Sequence, residues 1–157
     1  MNGSAELVGV GEGIVAEGDP PASTARRSSS GVVLRPRVLV IDDEPLLGQT
    51  LQLGLEDSLD VELELTAGGG LNRLLAGESF QVVLCDLSLP DLSGSEVYAR
   101  LEQAMPRLLP RFVVMTGGAI TTASREFLEA YEGPLLQKPF TLQEVEALAR
   151  RLADADE

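Results

Sequence analysis

Three carboxylates, a hydroxyl and an amine close the apolar runs of this sequence. Asp42 and Asp43 end RVLVIDD with Glu44 directly after them, Asp86 ends VVLCD, Thr116 ends RFVVMT, and Lys138 follows PLLQ. Acids at the end of a buried-type run are costly. Two carboxylates about 4 Å apart at an effective dielectric near 20 repel by roughly 4 kcal/mol, a large share of a domain stability of roughly 5–15 kcal/mol. A cation between them removes that cost. Oxygen-only ligands favour a hard ion, and Mg²⁺, which retains several waters and takes one or two carboxylates directly, suits the set. Adding a hydroxyl and an ammonium makes a site for a tetrahedral dianion. Phosphoryl transfer needs little beyond in-line positioning and charge neutralisation, and a carboxylate can serve as the nucleophile, giving an acyl phosphate.

Each piece alone also has a plain structural reading. DDEP is a good helix start, with an Asp cap, an acid in the first turn and an early proline. Asp86 alone reads as a strand-end acid, Thr116 as a helix or turn cap, and Lys138 as a surface lysine. Joint placement shifts the balance toward chemistry. Lys138 is the single lysine among 12 basic residues, all the others being arginine.

The elements that must position these residues are legible from residue 36 onward. Strand-like runs are expected at 37–43, 61–66, 81–87, 111–116 and in PLLQKPF. Helical spacing links Leu47, Leu51 and Leu55; Leu71, Leu74 and Leu75; Val97, Leu101 and Ala104; residues near 121–131; and Leu142, Val145, Leu148, Ala149 and Leu152. Thr141 and Glu144 form a capping box at the start of the last helix. Strict alternation of five strands and five helices predicts an α/β fold, a parallel sheet with helices on both faces. In the order 2-1-3-4-5, sites form outside the carboxyl ends of strands 1 and 3. Asp42, Asp43 and Asp86 then share one crevice, with Thr116 and Lys138 on the same rim.

A length of 157 residues and 44% hydrophobic content suit one domain plus a tail. Residues 1–35, rich in Gly, Ser and Pro, read as a flexible lead-in, 36–154 as the domain and 155–157 as a tail. A net charge of −13 disfavours a nucleic-acid surface. No apolar run is long enough to span a bilayer and no export signal opens the chain, so a cytoplasmic protein without membrane insertion is expected. Cys85, the one cysteine, reads as core packing in a reducing compartment. The absence of histidine excludes histidine-based acid–base or metal chemistry within this chain.

On VLVIDDEP, VLCDLSLPDLSG, VVMTGG and QKPF, the chain resembles the response-regulator receiver domain of two-component signalling, a flavodoxin-like fold, over about residues 36–154. The resemblance implies a signalling phosphoacceptor, not an enzyme. Asp86 would take a phosphoryl group from a partner phosphohistidine, carried by a histidine kinase or a histidine phosphotransfer domain. It also implies that Asp43 binds Mg²⁺ directly, Asp42 mainly through water, and the Ser88 backbone carbonyl as a further ligand. Thr116 and Lys138 would hold the phosphoryl oxygens, the Lys138–Pro139 bond would be cis, and Gly94 would start the next helix. MTGGAITTASREFL is similar to receivers at the C-termini of hybrid sensor kinases; a stand-alone receiver is the other reading. One position departs from the pattern. Leu135 stands where many receivers carry an aromatic ring that moves with the threonine, so a different readout is expected. A Mg²⁺-dependent phosphohydrolase with an aspartate nucleophile is the competing class, although Ser88 stands where such an enzyme wants a second acid. A degenerate receiver acting as a docking module is a further alternative, and a flavin protein is disfavoured by the acidic first loop.

Overall fold

The computed structural model describes residues 35–118 and 121–154. The readings for 1–34 and 155–157 lie outside the described residues. Strands run over Arg37–Ile41 (β1), Asp60–Glu64 (β2), Val82–Asp86 (β3), Phe112–Thr116 (β4) and Leu135–Gln137 (β5). Helices run over Pro45–Gly54 (α1), Ala67–Leu75 (α2), Gly94–Ala104 (α3), Thr122–Ala130 (α4) and Leu142–Asp154 (α5). All strand pairs are parallel and the order is β2-β1-β3-β4-β5, the expected 2-1-3-4-5.

The continuous apolar runs are the central strands because both of their faces are covered. Every residue of β1 and β3 is buried. Alternation sorts them into two cores. Val38, Val40, Val82, Leu84, Val113 and Met115 face Leu51 and Leu55 of α1 and Val145, Ala149 and Leu152 of α5. Leu39, Ile41, Val83, Cys85, Phe112 and Val114 face Leu71 and Leu74 of α2, Val97 and Leu101 of α3, and the half-buried Phe127 and Leu128 of α4. Each fully buried aliphatic side chain contributes about 1.5–3 kcal/mol, so this two-sided burial fixes where the strands end.

On the edge strand β2 the pattern alternates instead. Its Glu62 and Glu64 meet Arg73 of α2, and Glu62 also meets the buried Arg37. Both guanidinium groups lie over the Phe80 ring.

Several local expectations need correction. Thr66, expected in a strand, caps α2 by accepting from the Gly69 N–H, so β2 ends at Glu64. Arg111 ends a 3-10 helix, Pro106–Arg111, rather than starting β4. Leu75 and Ala104 sit at helix ends and are exposed. The Thr141 and Glu144 capping box is present, and α3 has another, Ser93 with Glu96.

Candidate functional site

The carboxyl ends of β1, β3, β4 and β5 lie side by side, and that alignment assembles the site. Asp42 follows β1 and its N–H donates to the Glu64 carbonyl at 3.0 Å, extending the β1–β2 ladder by one step. This pins the residue beneath the surface, 1% exposed. Its two carboxylate oxygens have different partners: Oδ1 accepts from the Glu44 N–H at 2.9 Å and Oδ2 from Lys138 Nζ at 2.8 Å. Asp43 is exposed next to it. Glu44, also exposed, is the N-cap of α1, makes no side-chain cap bond, and is followed by Pro45 in the first turn.

Asp86, the last residue of β3, is 8% exposed, and its Oδ1 lies 3.6 Å from Lys138 Nζ. Asp42, Asp43 and Asp86 each offer a carboxylate oxygen, and the three oxygens lie within 4.8 Å of one another. That donor set, all oxygen and partly open to solvent, fits a hard divalent cation that keeps part of its water shell. Crowding is visible in the electrostatics. Burial pushes the Asp86 carboxyl up; Lys138 and the Ser88 backbone N–H oppose this, while Asp42 and Asp43 reinforce it. For Lys138, burial alone would lower the ammonium, but its bond to Asp42 and the charges of Asp86 and Asp42 outweigh that and raise it.

Lys138 reaches the pocket from the end of β5. Its N–H donates to the Thr116 carbonyl at 2.7 Å, and its peptide bond to Pro139 is cis. Thr116 ends β4 in register with Gln137, half-buried on the same rim. It is not a helix cap, since Thr121 caps α4. Gly117 leaves the space that the Lys138 stem occupies: a Cβ there would stand 2.8 Å from the Lys138 Cβ. Ser88 is exposed just after β3, where its backbone N–H helps to lower the Asp86 carboxyl.

The structure therefore gathers Asp42, Asp43 and Asp86 within 4.8 Å, oxygen to oxygen, sets Lys138 against Asp42 and Asp86, and places Thr116 and Ser88 at the adjoining strand and loop. Cys85 is fully buried, and burial, reinforced by Asp86 and Asp42, pushes its thiol up, which keeps it out of thiolate chemistry. Leu135 is exposed on the edge strand β5.

Two packing features around the site were not read from the sequence. Gly94 opens α3, as expected, against the end of β3, and a Cβ there would stand 2.6 Å from the Asp86 carbonyl oxygen. The DLSG stretch carried this signal only as a helix start. Asp91 bonds to the start of α2, and no local motif announces a partner so distant in sequence.

Residues 38–150 match the response regulator receiver domain family. Among curated proteins, the transcriptional regulatory protein CutR of Streptomyces coelicolor is 30% identical over 74% of this chain and 52% of its own length. The response regulator ArlR of Staphylococcus saprophyticus is 26% identical over 74% of this chain and 51% of its own. The chain thus spans about half the length of these relatives. Among solved structures, a CheY-like response regulator receiver domain protein from Methanospirillum hungatei superposes with a TM-score of 0.66 at 26% identity, covering 78% of this chain and 96% of that one. Full-length FixJ from B. japonicum gives 0.66 at 25% identity, covering 78% and 59%. No helix among the described residues is long and apolar enough to cross a membrane. With the sheet order and the acidic pocket above, these matches establish that the chain belongs to the response regulator receiver domain family of two-component signalling.

Proposed function

We propose that this chain is a phosphoacceptor in a two-component phosphorelay, with residues 36–154 forming the receiver and Asp86 accepting the phosphoryl group in the cytoplasm. The observation that carries the reading is the position of Asp86: buried at a strand end, 3.6 Å from the only lysine and within 4.8 Å of two further carboxylates. In the transfer, an Asp86 carboxylate oxygen attacks the phosphorus of a partner phosphohistidine. The new O–P bond forms as the P–N bond breaks, and the imidazole leaves with the electron pair.

Lys138 neutralises charge on the incoming phosphoryl oxygens, and Thr116 donates its hydroxyl to one of them. Asp43, Asp42 and Asp86, with the Ser88 carbonyl, would hold Mg²⁺. Bound there, Mg²⁺ would offset the negative charge shared by the carboxylates and the phosphoryl group. Since these 157 residues include no histidine, the phosphohistidine lies outside them, on a histidine kinase or a histidine phosphotransfer domain, and a small acyl phosphate can act in its place.

Incubation with a small acyl-phosphate donor and Mg²⁺, followed by intact mass measurement, tests the proposal. One phosphoryl group per chain is expected with Mg²⁺ and none with a chelator. Sustained turnover of simple phosphate esters would instead favour a phosphohydrolase.

A further inference from the structure

The loop between β3 and α3, residues 87–93, carries Ser88 and follows Asp86 directly. Leu89 and Leu92 anchor it to the core. Its Asp91 is exposed, yet the carboxylate reaches another element altogether: Oδ1 accepts from the Ala67 N–H at 3.0 Å and Oδ2 from the Gly68 N–H at 2.9 Å. These open α2 and have no partner within the helix. The Gly69 N–H, next in line, is taken by Thr66 Oγ1 at 3.0 Å. A carboxylate at that end is also favoured by the helix dipole.

The first turn of α2 is AGGG. Glycine is the poorest helix former after proline, so this turn depends on acceptors from outside. Close packing explains two of the glycines, since a Cβ at Gly70 would collide with the Ile41 side chain and one at Gly69 with the Glu64 carboxylate. A weak helix start bound twice by one loop carboxylate is a joint between two elements, and one of them leads out of the phosphoacceptor strand. The Gly68 N–H, then the Ala67 N–H, hold the Asp91 carboxyl below its usual range, as a charge-assisted clamp should.

We propose that Asp91 is a positioning residue for the acidic pocket: by clamping the first turn of α2, it holds the loop 87–93, and with it Ser88, against Asp86. The effect on metal binding rests on the reading of that pocket as the Mg²⁺ and phosphoryl site. The alternative is that Asp91 only caps α2 and stabilises the fold.

The 157-residue wild type, Asp91→Ala, Asp91→Asn and the double variant Gly68→Ala with Asp91→Ala separate these. Asp91→Ala should weaken Mg²⁺ binding and slow acyl-phosphate labelling by about tenfold, the range seen when a group supporting a metal ligand is lost. Asp91→Asn, which keeps one acceptor oxygen, should lose less. Gly68→Ala strengthens the helix without restoring the clamp, so the double variant should regain thermal stability but not Mg²⁺ affinity. Wild-type affinity and rate in Asp91→Ala, or full recovery of both in the double variant, would overturn the proposal. Amide exchange without metal keeps this failure apart from failure of the site reading. Asp91→Ala should speed exchange at Ser88 as well as at Ala67 and Gly68. Unchanged exchange at Ser88 refutes the clamp, whereas a loosened Ser88 in a protein that binds no Mg²⁺ refutes the site reading and retains the clamp.

Discussion

Lys138 Nζ lies 2.8 Å from Oδ2 of Asp42, although the two residues stand 96 positions apart in the chain. The bond closes the β5 end of the sheet onto the β1 end and supplies a counter-ion to a carboxylate that is 1% exposed. It also sets the resting charge balance of the pocket, where one ammonium stands against three clustered acids.

Replacing Lys138 with Met leaves Asp42 buried and without its ionic partner. Breaking a buried pair typically costs 3–5 kcal/mol, and because the lysine side chain is 27% exposed we expect about 2–3 kcal/mol in metal-free urea unfolding. Mg²⁺ should recover part of that loss. A loss that Mg²⁺ leaves unchanged would mean that no cation enters the same pocket.

Asp43 is exposed and its charge pushes the Asp86 carboxyl up. Asp43→Asn should therefore raise metal-free stability modestly, by about 0.5–1 kcal/mol, the scale of repulsion in a high-dielectric setting. Calorimetric titration should show Mg²⁺ affinity falling about tenfold or more, on the order of 1.4 kcal/mol. Unchanged affinity would remove Asp43 from the ligand set.

Gly94→Ala places a Cβ 2.6 Å from the Asp86 carbonyl oxygen and 2.9 Å from the Leu87 Cα. Neither backbone atom can rotate away, so the end of β3 must shift. About 1–3 kcal/mol of overpacking cost is expected, along with slower labelling at saturating Mg²⁺. A variant of wild-type stability and labelling rate would show that the loop yields freely.

Acid should weaken the β2 edge through Glu62. Burial raises its carboxyl, but the hydrogen bonds and charges of Arg37 and Arg73 outweigh this and leave it lowered. A group lowered in the folded state contributes stability above its unfolded value, about 4.3, and loses it as pH falls through the folded value. Urea unfolding from about pH 5 downward should therefore show a shallower acid loss in Glu62→Gln than in wild type. Identical slopes would assign the acid sensitivity to other carboxylates.

Much of this arrangement was legible in the sequence because burial on both faces forces continuous apolar runs. RVLVI, VVLCD and FVVMT are strands for that reason, and whatever follows such a run in a parallel sheet arrives at the common rim. Asp42, Asp86, Thr116 and Lys138 were readable as a set on that ground. Contacts between elements were harder to see. Thr66 looked like the end of an alternating strand because its role depends on the helix after it. Pro106–Arg111 shows no periodicity long enough to announce a 3-10 helix. Arg37 reads as a polar residue opening a strand, and only the fold brings it to Glu62 and Phe80. Asp91 finds its partners 23 and 24 residues earlier, a distance that no local pattern encodes.

Locating the phosphoryl group on the chain is the most direct test of Asp86 as the acceptor. After reaction with a small acyl-phosphate donor and Mg²⁺, hydroxylamine treatment and peptide mass mapping should place a single hydroxamate at Asp86, and Asp86→Asn should carry none. A hydroxamate at another residue, or label undiminished in Asp86→Asn, would contradict it.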